Sequence, residues 1–353
     1  MASRARASAR AALYAALYAA LLAPLVCCAS ASAAQREHAA SGSLRSAPAT
    51  PPMSPTPTPT RPTLARTSTP TPPTPPTLPV SVSLPVALGE AGTAVPGNFL
   101  GLSFEMAALP QLAGDAQHGD LVALLRSLGH GVVRFGGVTA DEDIAWVEGA
   151  PPPPWASGTI EAGELRELGA LSAHSDWHVL LTLGFGHYEP QVAAREAAAA
   201  KASLGGYLDA FEIGNEPDSY ARHGLREQPW TFLQYDEQVA AYRQGIEALA
   251  PGVALAGPDT SGSSAYEKWG LGEAIYQRPA LLTGHHYPLG CNQLPPPSIG
   301  RLLSPYIREL EEASLRRYLL VAQQSELPFR LDETNTVSCG GVAGVSDTFA
   351  SAL

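Results

Sequence analysis

Phe211-Glu212-Ile213-Gly214-Asn215-Glu216-Pro217-Asp218 is the stretch whose reading decides the fold. Apolar positions alternate up to an Asn-Glu pair, and Pro217 then removes a backbone donor, so a strand ends here. A carboxylate at a strand's end leaves the sheet where loops can shape a pocket. Taken alone, Glu216 serves equally well as a cap on the following turn. A second run, Pro328-Phe329-Arg330-Leu331-Asp332-Glu333-Thr334-Asn335, also ends in a Glu beside an Asn, over a hundred residues later.

Short buried-strand patterns recur on both sides of these two. Strands are predicted over 98–105, 131–137, 179–184, 253–258 and 281–287, and helices over 121–128, 165–173, 193–204, 235–250 and 305–323. Repeated strand–helix units of this kind give an α/β class with a parallel sheet, and their number points to a (β/α)8 TIM-type barrel. The rival, a doubly wound sheet, announces itself by a phosphate-binding glycine loop after its first strand. None follows Phe104, and Gly136-Gly137 lacks the spacing. Seven strands are accounted for, and 346–353 reads as the start of the seventh helix. The expectation is a barrel whose last strand lies beyond Leu353; a count off by one is the alternative.

Ahead of the barrel, Arg4, Arg6 and Arg10 precede an apolar run over 11–26 and the small-residue site Ala31-Ser32-Ala33. Residues 1–34 read as a secretory signal peptide. Cys27 and Cys28 leave a lipoprotein reading open, although Val26 and Cys27 fit a lipobox poorly. Residues 35–78 are almost all Pro, Thr, Ser and Ala, an extended stalk suited to tethering at a cell wall or surface. The predicted catalytic domain, 79–353, carries 15 Lys+Arg against 32 Asp+Glu. A domain this negative repels nucleic acid and anionic membranes at long range, and no nucleic-acid partner is expected. Only Cys291 and Cys339 remain after the signal, and no Cys/His spacing resembles a zinc site. They follow the sixth and seventh strands on neighbouring loops, so a disulfide is expected, with two free thiols as the alternative.

On the barrel reading Glu216 and Glu333 end the fourth and seventh strands, on the face where barrel active sites lie. Facing carboxylates there suit an acid/base and a nucleophile on either side of a glycosidic bond. Asn215 is placed to hydrogen-bond a sugar hydroxyl. His285-His286-Tyr287 ends the sixth strand. Adjacent residues of a strand point to opposite faces, so one histidine faces the pocket, and His286 is the expected one. A structural polar cluster is the competing reading. Arg134, inside a buried strand, is expected to partner buried carboxylates.

With Glu333-Thr334-Asn335 followed by Cys339-Gly340-Gly341 and Val345-Ser346-Asp347-Thr348-Phe349-Ala350, these motifs resemble glycoside hydrolase family 79. It is the family of heparanase and bacterial β-glucuronidases, in clan A of the barrel glycosidases. The resemblance runs from about Phe99 to Leu353. It implies a retaining mechanism with Glu216 as acid/base, Glu333 as nucleophile and no metal or organic cofactor. It also implies that the Gly340-Gly341 backbone receives a substrate carboxylate, that Glu105 contacts the sugar, and that Tyr287 belongs to the site. Val138 and Pro288 depart from the pattern, and the family's last strand and C-terminal β-sandwich are missing; 80–88 reads as one sandwich strand. The expected activity is exo-release of terminal β-glucuronic acid, the 4-O-methyl form included. Lys201 and Lys268 are the domain's only lysines, and Arg316-Arg317 sits beside Glu311 and Glu312, so no basic cleft for a sulfated polymer is in view. A clan A glycosidase for neutral sugars and a non-catalytic glycan-binding protein are the alternatives. A pure binder has no need of two glutamates.

Overall fold

A computed structural model describes Gly89, Gly92 and residues 94–352. The expected signal peptide, the stalk and the strand over 80–88 lie outside the described residues. From Gly101 onward seven strands form one sheet: β1 (Gly101–Glu105), β2 (Gly131–Gly136), β3 (Trp177–Leu183), β4 (Leu208–Ile213), β5 (Leu255–Thr260), β6 (Leu281–His286) and β7 (Phe329–Thr334). They pair in chain order, all parallel. Helices α1 (Leu109–His118), α2 (Leu121–Leu128), α3 (Ala162–Ser175), α4 (Pro190–Leu204), α5 (Phe232–Leu249), α6 (Ser263–Gly272) and α7 (Pro305–Ser325) cover the outside. This is a nearly closed TIM-type barrel with seven parallel strands among the described residues.

Strand alternation builds the interior in layers. Val132, Leu180, Ala210 and Ala256 form an apolar floor from β2, β3, β4 and β5. Two residues further along each of the first three strands, Arg134, Thr182 and Glu212 follow on the same face and are buried. The opposite face of these strands (Val133, Phe135, Val179, Leu181, Phe211, Ile213) packs with helix residues such as Leu165, Leu168 and Tyr242. A barrel with an apolar floor and a polar upper layer must resolve its buried charges at the C-terminal end of the strands, where the functional site lies.

β1 and β7 are the edges of the sheet. Arg330 of β7 reaches across the seam to the Asn98 carbonyl (3.0 Å). A cavity of about 110 Å³ lined by Ser103, Arg134, Arg330 and Asp332 opens there.

All predicted strands within the described residues are present. The pattern did not reveal α1, interrupted by Pro110 and Gly114, or α6 and the π-helical turn Glu273–Gln277 behind it. A two-stranded parallel ribbon, Ile144–Trp146 with Gly158–Ile160, was also hidden in the loop after β2. The helix expected from 346 is a correction: the segment makes turns and a 3-10 helix, Phe349–Ala352. Gly344 at φ 77° and the Ser346 Oγ, which accepts from the Val342 N–H and the Thr336 hydroxyl, hold it as a loop.

Candidate active site

Arg134 is the hub of the upper layer and is 2% exposed. Its Nε donates to Glu212 Oε2 (2.8 Å), Nη1 to Glu333 Oε2 (2.8 Å) and Ser103 Oγ (3.1 Å), and Nη2 to Asp259 Oδ2 (2.8 Å) and Asn215 Oδ1 (3.0 Å). Asp332 Oδ2 lies 3.3 Å from Nε. One guanidinium thus gathers carboxylates from β4, β5 and β7, as expected of a charge that cannot be shed.

The β4 strand ends at Ile213, and the chain turns sharply through Gly214 (φ 79°) and Glu216 (φ 51°). A side chain at Gly214 would meet the Tyr220 hydroxyl at 2.3 Å, so no other residue fits that turn. The Glu216 N–H donates to the Asp259 carbonyl (2.9 Å) and its own carbonyl accepts from Ser219 Oγ (2.8 Å). This turn brings the Glu216 carboxylate over the barrel mouth towards β6.

The histidine that meets it is His285. Nδ1 is 3.0 Å from Glu216 Oε1 and 3.6 Å from Glu333 Oε1, and Nε2 is 2.7 Å from Asp259 Oδ1. Burial pushes its pKa down, but Asp259 and Glu333 outweigh this and hold it well above the ordinary value. The protonated ring then donates from Nε2 to Asp259 and from Nδ1 to one oxygen of Glu216. His286, the expected pocket residue, is corrected: its Nε2 bonds Glu311 of α7 (2.7 Å) on the outside of the barrel. The reason is parity. Leu282 packs with Tyr266 and Tyr318, and a side chain at Gly284 would meet Tyr318 at 2.7 Å, so 282, 284 and 286 face the helices and 285 faces in.

Glu333 is the second glutamate at the mouth, with 19% of its side chain exposed. Burial pushes its pKa up, yet His285, Arg134 and the Tyr287 hydroxyl, which donates to Oε1, together hold it below the usual range. Beneath it burial, Asp259 and Glu212 hold the Asp332 carboxyl well above the usual range. Burial beside two other acids thus favours the protonated form of Asp332. Asp259 goes the other way: burial raises it, but Arg134 and His285 pull it below the ordinary value.

Among the described residues, oxygens of Glu216 and Glu333 and a ring nitrogen of His285 lie within 4.8 Å of one another, as do donor atoms of Asp259, His285 and Asp332. Both trios share His285, whose ring nitrogens, when protonated, donate to its acidic neighbours and are not free as metal ligands. One oxygen of each glutamate belongs to the first trio, so the two carboxylates are close neighbours at the barrel mouth.

The sequence-derived residues are thus partly brought together. Glu216, Glu333, Asn215 and Tyr287 meet at the mouth. Glu105 ends β1 and accepts from the Thr139 N–H (3.0 Å) and hydroxyl (2.7 Å). A side chain at Gly137 (φ 73°) would strike its carboxylate at 2.3 Å. Gly340 and Gly341 lie on the loop after β7 and have no hydrogen bond to either glutamate among the described residues. Cys339, Gly340 and Gly341 all have positive φ (60°, 78° and 91°), and the Gly341 N–H donates to the Ser338 carbonyl (3.4 Å). That loop is pinned by the Cys291–Cys339 disulfide, Cα–Cα 6.0 Å, and by Leu289, Ile307, Val337 and Val345 packing under it. His285, Asp259, Asp332 and Asp141 escaped the sequence. The available signal was Arg134, since a buried arginine demands several carboxylates.

No protein-family description and no curated protein matches the chain. Among solved structures it superposes on a 4-O-α-L-rhamnosyl-β-D-glucuronidase from Fusarium oxysporum 12S with a TM-score of 0.52 and 18% identity over 70% of this chain and 56% of that one. A family 51 α-L-arabinofuranosidase from Bifidobacterium longum gives 0.46 at 16% identity over 69% and 56%. A monomeric β-xylosidase from Caulobacter crescentus CB15 gives 0.46 at 16% over 70% and 54%. The chain spans little more than half the length of these proteins. Its structural neighbours are clan A glycoside hydrolases, and at such identities the likeness is one of fold.

Proposed function

We propose that the chain is the barrel of a secreted, stalk-tethered retaining glycosidase that releases terminal β-D-glucuronic acid, 4-O-methylated or not, from carbohydrate. The observation that carries the hydrolase reading is the pair of glutamates sharing one protonated histidine, with Glu333 held ionised by His285 and Arg134. Glu216 donates a proton to the glycosidic oxygen as that bond breaks, and Glu333 attacks the anomeric carbon to form a glycosyl ester. Water then adds to the same carbon, gives its proton to Glu216 and frees Glu333. His285 and Tyr287 fix the two carboxylates, and Asn215, held by Arg134, is placed for a sugar hydroxyl.

The glucuronide part rests on the motif resemblance to family 79 and on charge. The fold neighbour whose own activity is on a glucuronide agrees with it. The loop to which that resemblance assigns the substrate carboxylate has positive φ at all three of Cys339, Gly340 and Gly341. Secretion rests on residues 1–34 and accords with the disulfide. The test is an assay of the full-length protein against a chromogenic β-glucuronide, the matching β-glucoside and heparan sulfate. Hydrolysis of the glucuronide with retention of configuration is expected. Preference for the glucoside would remove the carboxylate pocket, and chain cleavage of heparan sulfate would overturn the charge argument.

A further inference from the structure

Asp141 lies on the short helix Val138–Glu142 after β2 and is 2% exposed. Its carboxylate accepts four hydrogen bonds. Oδ1 takes the N–H groups of Phe185 (2.8 Å) and Gly186 (2.9 Å), just past β3. Oδ2 takes the Asn215 N–H (2.8 Å) and the Tyr220 hydroxyl (2.6 Å), on either side of Glu216. One side chain therefore ties together the C-terminal ends of β2, β3 and β4. The nearby cation, Arg226, is engaged elsewhere, on the carbonyls of Phe185, Gly186 and Leu225.

The packing leaves this knot no slack. A side chain at Gly186 would meet the Asp141 carbonyl at 2.4 Å, and one at Gly214 the Tyr220 hydroxyl at 2.3 Å. Glu216 itself sits in the left-handed region, which a residue with a side chain holds only when its surroundings impose it. The imposing contacts are few: the Asp259 carbonyl on its own N–H, Ser219 on its carbonyl, and Asp141 on the preceding N–H. Asp141 is engaged by three backbone N–H groups and the Tyr220 hydroxyl rather than by the side chain of Glu216 or Glu333, yet the backbone it holds carries the carboxylate that meets His285.

We infer that Asp141 is a positioning residue whose four accepted hydrogen bonds aim the Glu216 carboxylate at the leaving-group oxygen. This rests on the glycosidase reading above. Asp141→Asn keeps the shape but turns an amide N–H towards two of the four donors, whichever way the amide lies. The turn bearing Glu216 then moves, and acid assistance to the leaving group fails while nucleophilic attack by Glu333 does not.

The test compares kcat/KM on two glucuronides of the full-length protein, one with a phenol leaving group and one with 2,4-dinitrophenol. Dinitrophenolate departs without a proton, so it reports attack by Glu333 without help from Glu216. For Asp141→Asn the loss on the phenyl glycoside should exceed that on the dinitrophenyl glycoside by roughly 100-fold, within the range general acid catalysis supplies. Equal losses on both would reduce Asp141 to a structural residue and overturn the inference. Tyr220→Phe, which deletes one donor and keeps the ring, should show a smaller loss of the same pattern if Asp141→Asn folds poorly. A wild-type protein inactive on both glycosides would sink the glycosidase reading instead. A crystal structure of either variant then decides separately: the 3.0 Å contact between Glu216 and His285 should be lost, and its survival overturns the positioning role.

Discussion

Glu333 and His285 illustrate how opposite charges set each other's protonation in a buried site. The Glu333 pKa is depressed, so its charge contributes stability above about pH 4.5 that is lost as pH falls through the depressed value. The His285 pKa is raised, so its contribution is complete below about pH 6.5 and fades only as pH climbs through the raised value. Their joint contribution therefore spans the weakly acidic and neutral range. Glu333→Gln should abolish turnover and lower the melting temperature at neutral pH, because Arg134 and His285 lose a partner. The gap in melting temperature between wild type and variant should close as pH drops through the Glu333 pKa; a gap constant with pH would show that the charge is not what is lost. His286→Ala, on the helix side, should leave kcat within about threefold of wild type, the small effect expected where no buried network is broken, whereas His285→Ala should remove nearly all activity. Comparable losses for both would undo the parity assignment.

At the scale of elements, two buried acids behave differently from the site. Glu196 on α4 is pushed up to about 8 by burial, and Glu273 in the π-helical turn also to about 8, burial again outweighing Arg243. Both are protonated in the folded barrel at neutral pH and ionised in the unfolded chain. Their contribution is full below about pH 4.5 and is lost as pH rises to about 8. Glu196→Gln should remove that penalty, raising stability by on the order of 2 kcal/mol at pH 7 and flattening the decline between pH 5 and 8. Thermal melts across that range check it, and an unchanged slope would count against a buried neutral Glu196. The loops after β6 and β7 supply the other test. Opening Cys291–Cys339 by Cys339→Ser frees a span of 48 residues, for an expected loss of about 3–4 kcal/mol on the chain-entropy picture. A urea melt measures it. The elements legible in advance were those with a long apolar run, such as β3, or a clean helical period, such as α5 with Tyr235, Val239, Tyr242 and Ile246; α1 and α6, with Pro110, Gly270 and Gly272 among short apolar stretches, carry no clean period.

For the whole molecule, burial is uneven around the sheet. β2 is buried throughout and β3 nearly so, whereas β1 and β7 are largely half-exposed at the edges. Amide exchange should accordingly be slowest in β2, β3 and β4 and fastest in β1 and β7, a gradient that hydrogen-exchange mass spectrometry would resolve. Uniform protection would mean that the edges are covered in solution. The chain's formal charge of −11, with its acids in excess over the barrel, belongs to the same scale and disfavours polyanionic partners. What the sequence by itself determined was set by local pattern: the alternation of strand and helix, the parallel barrel, the two strand-ending glutamates and the cysteines on adjacent loops. Each follows from residues close in the chain, where periodicity and turn chemistry act directly. Only the tertiary structure decided that His285 faces in, that Asp259 and Asp332 share Arg134 with Glu333, and that Asp141 holds the Glu216 turn. Those outcomes depend on which faces of distant strands meet inside the barrel and on the neutralisation of charge taken out of water, and neither is written in any single stretch.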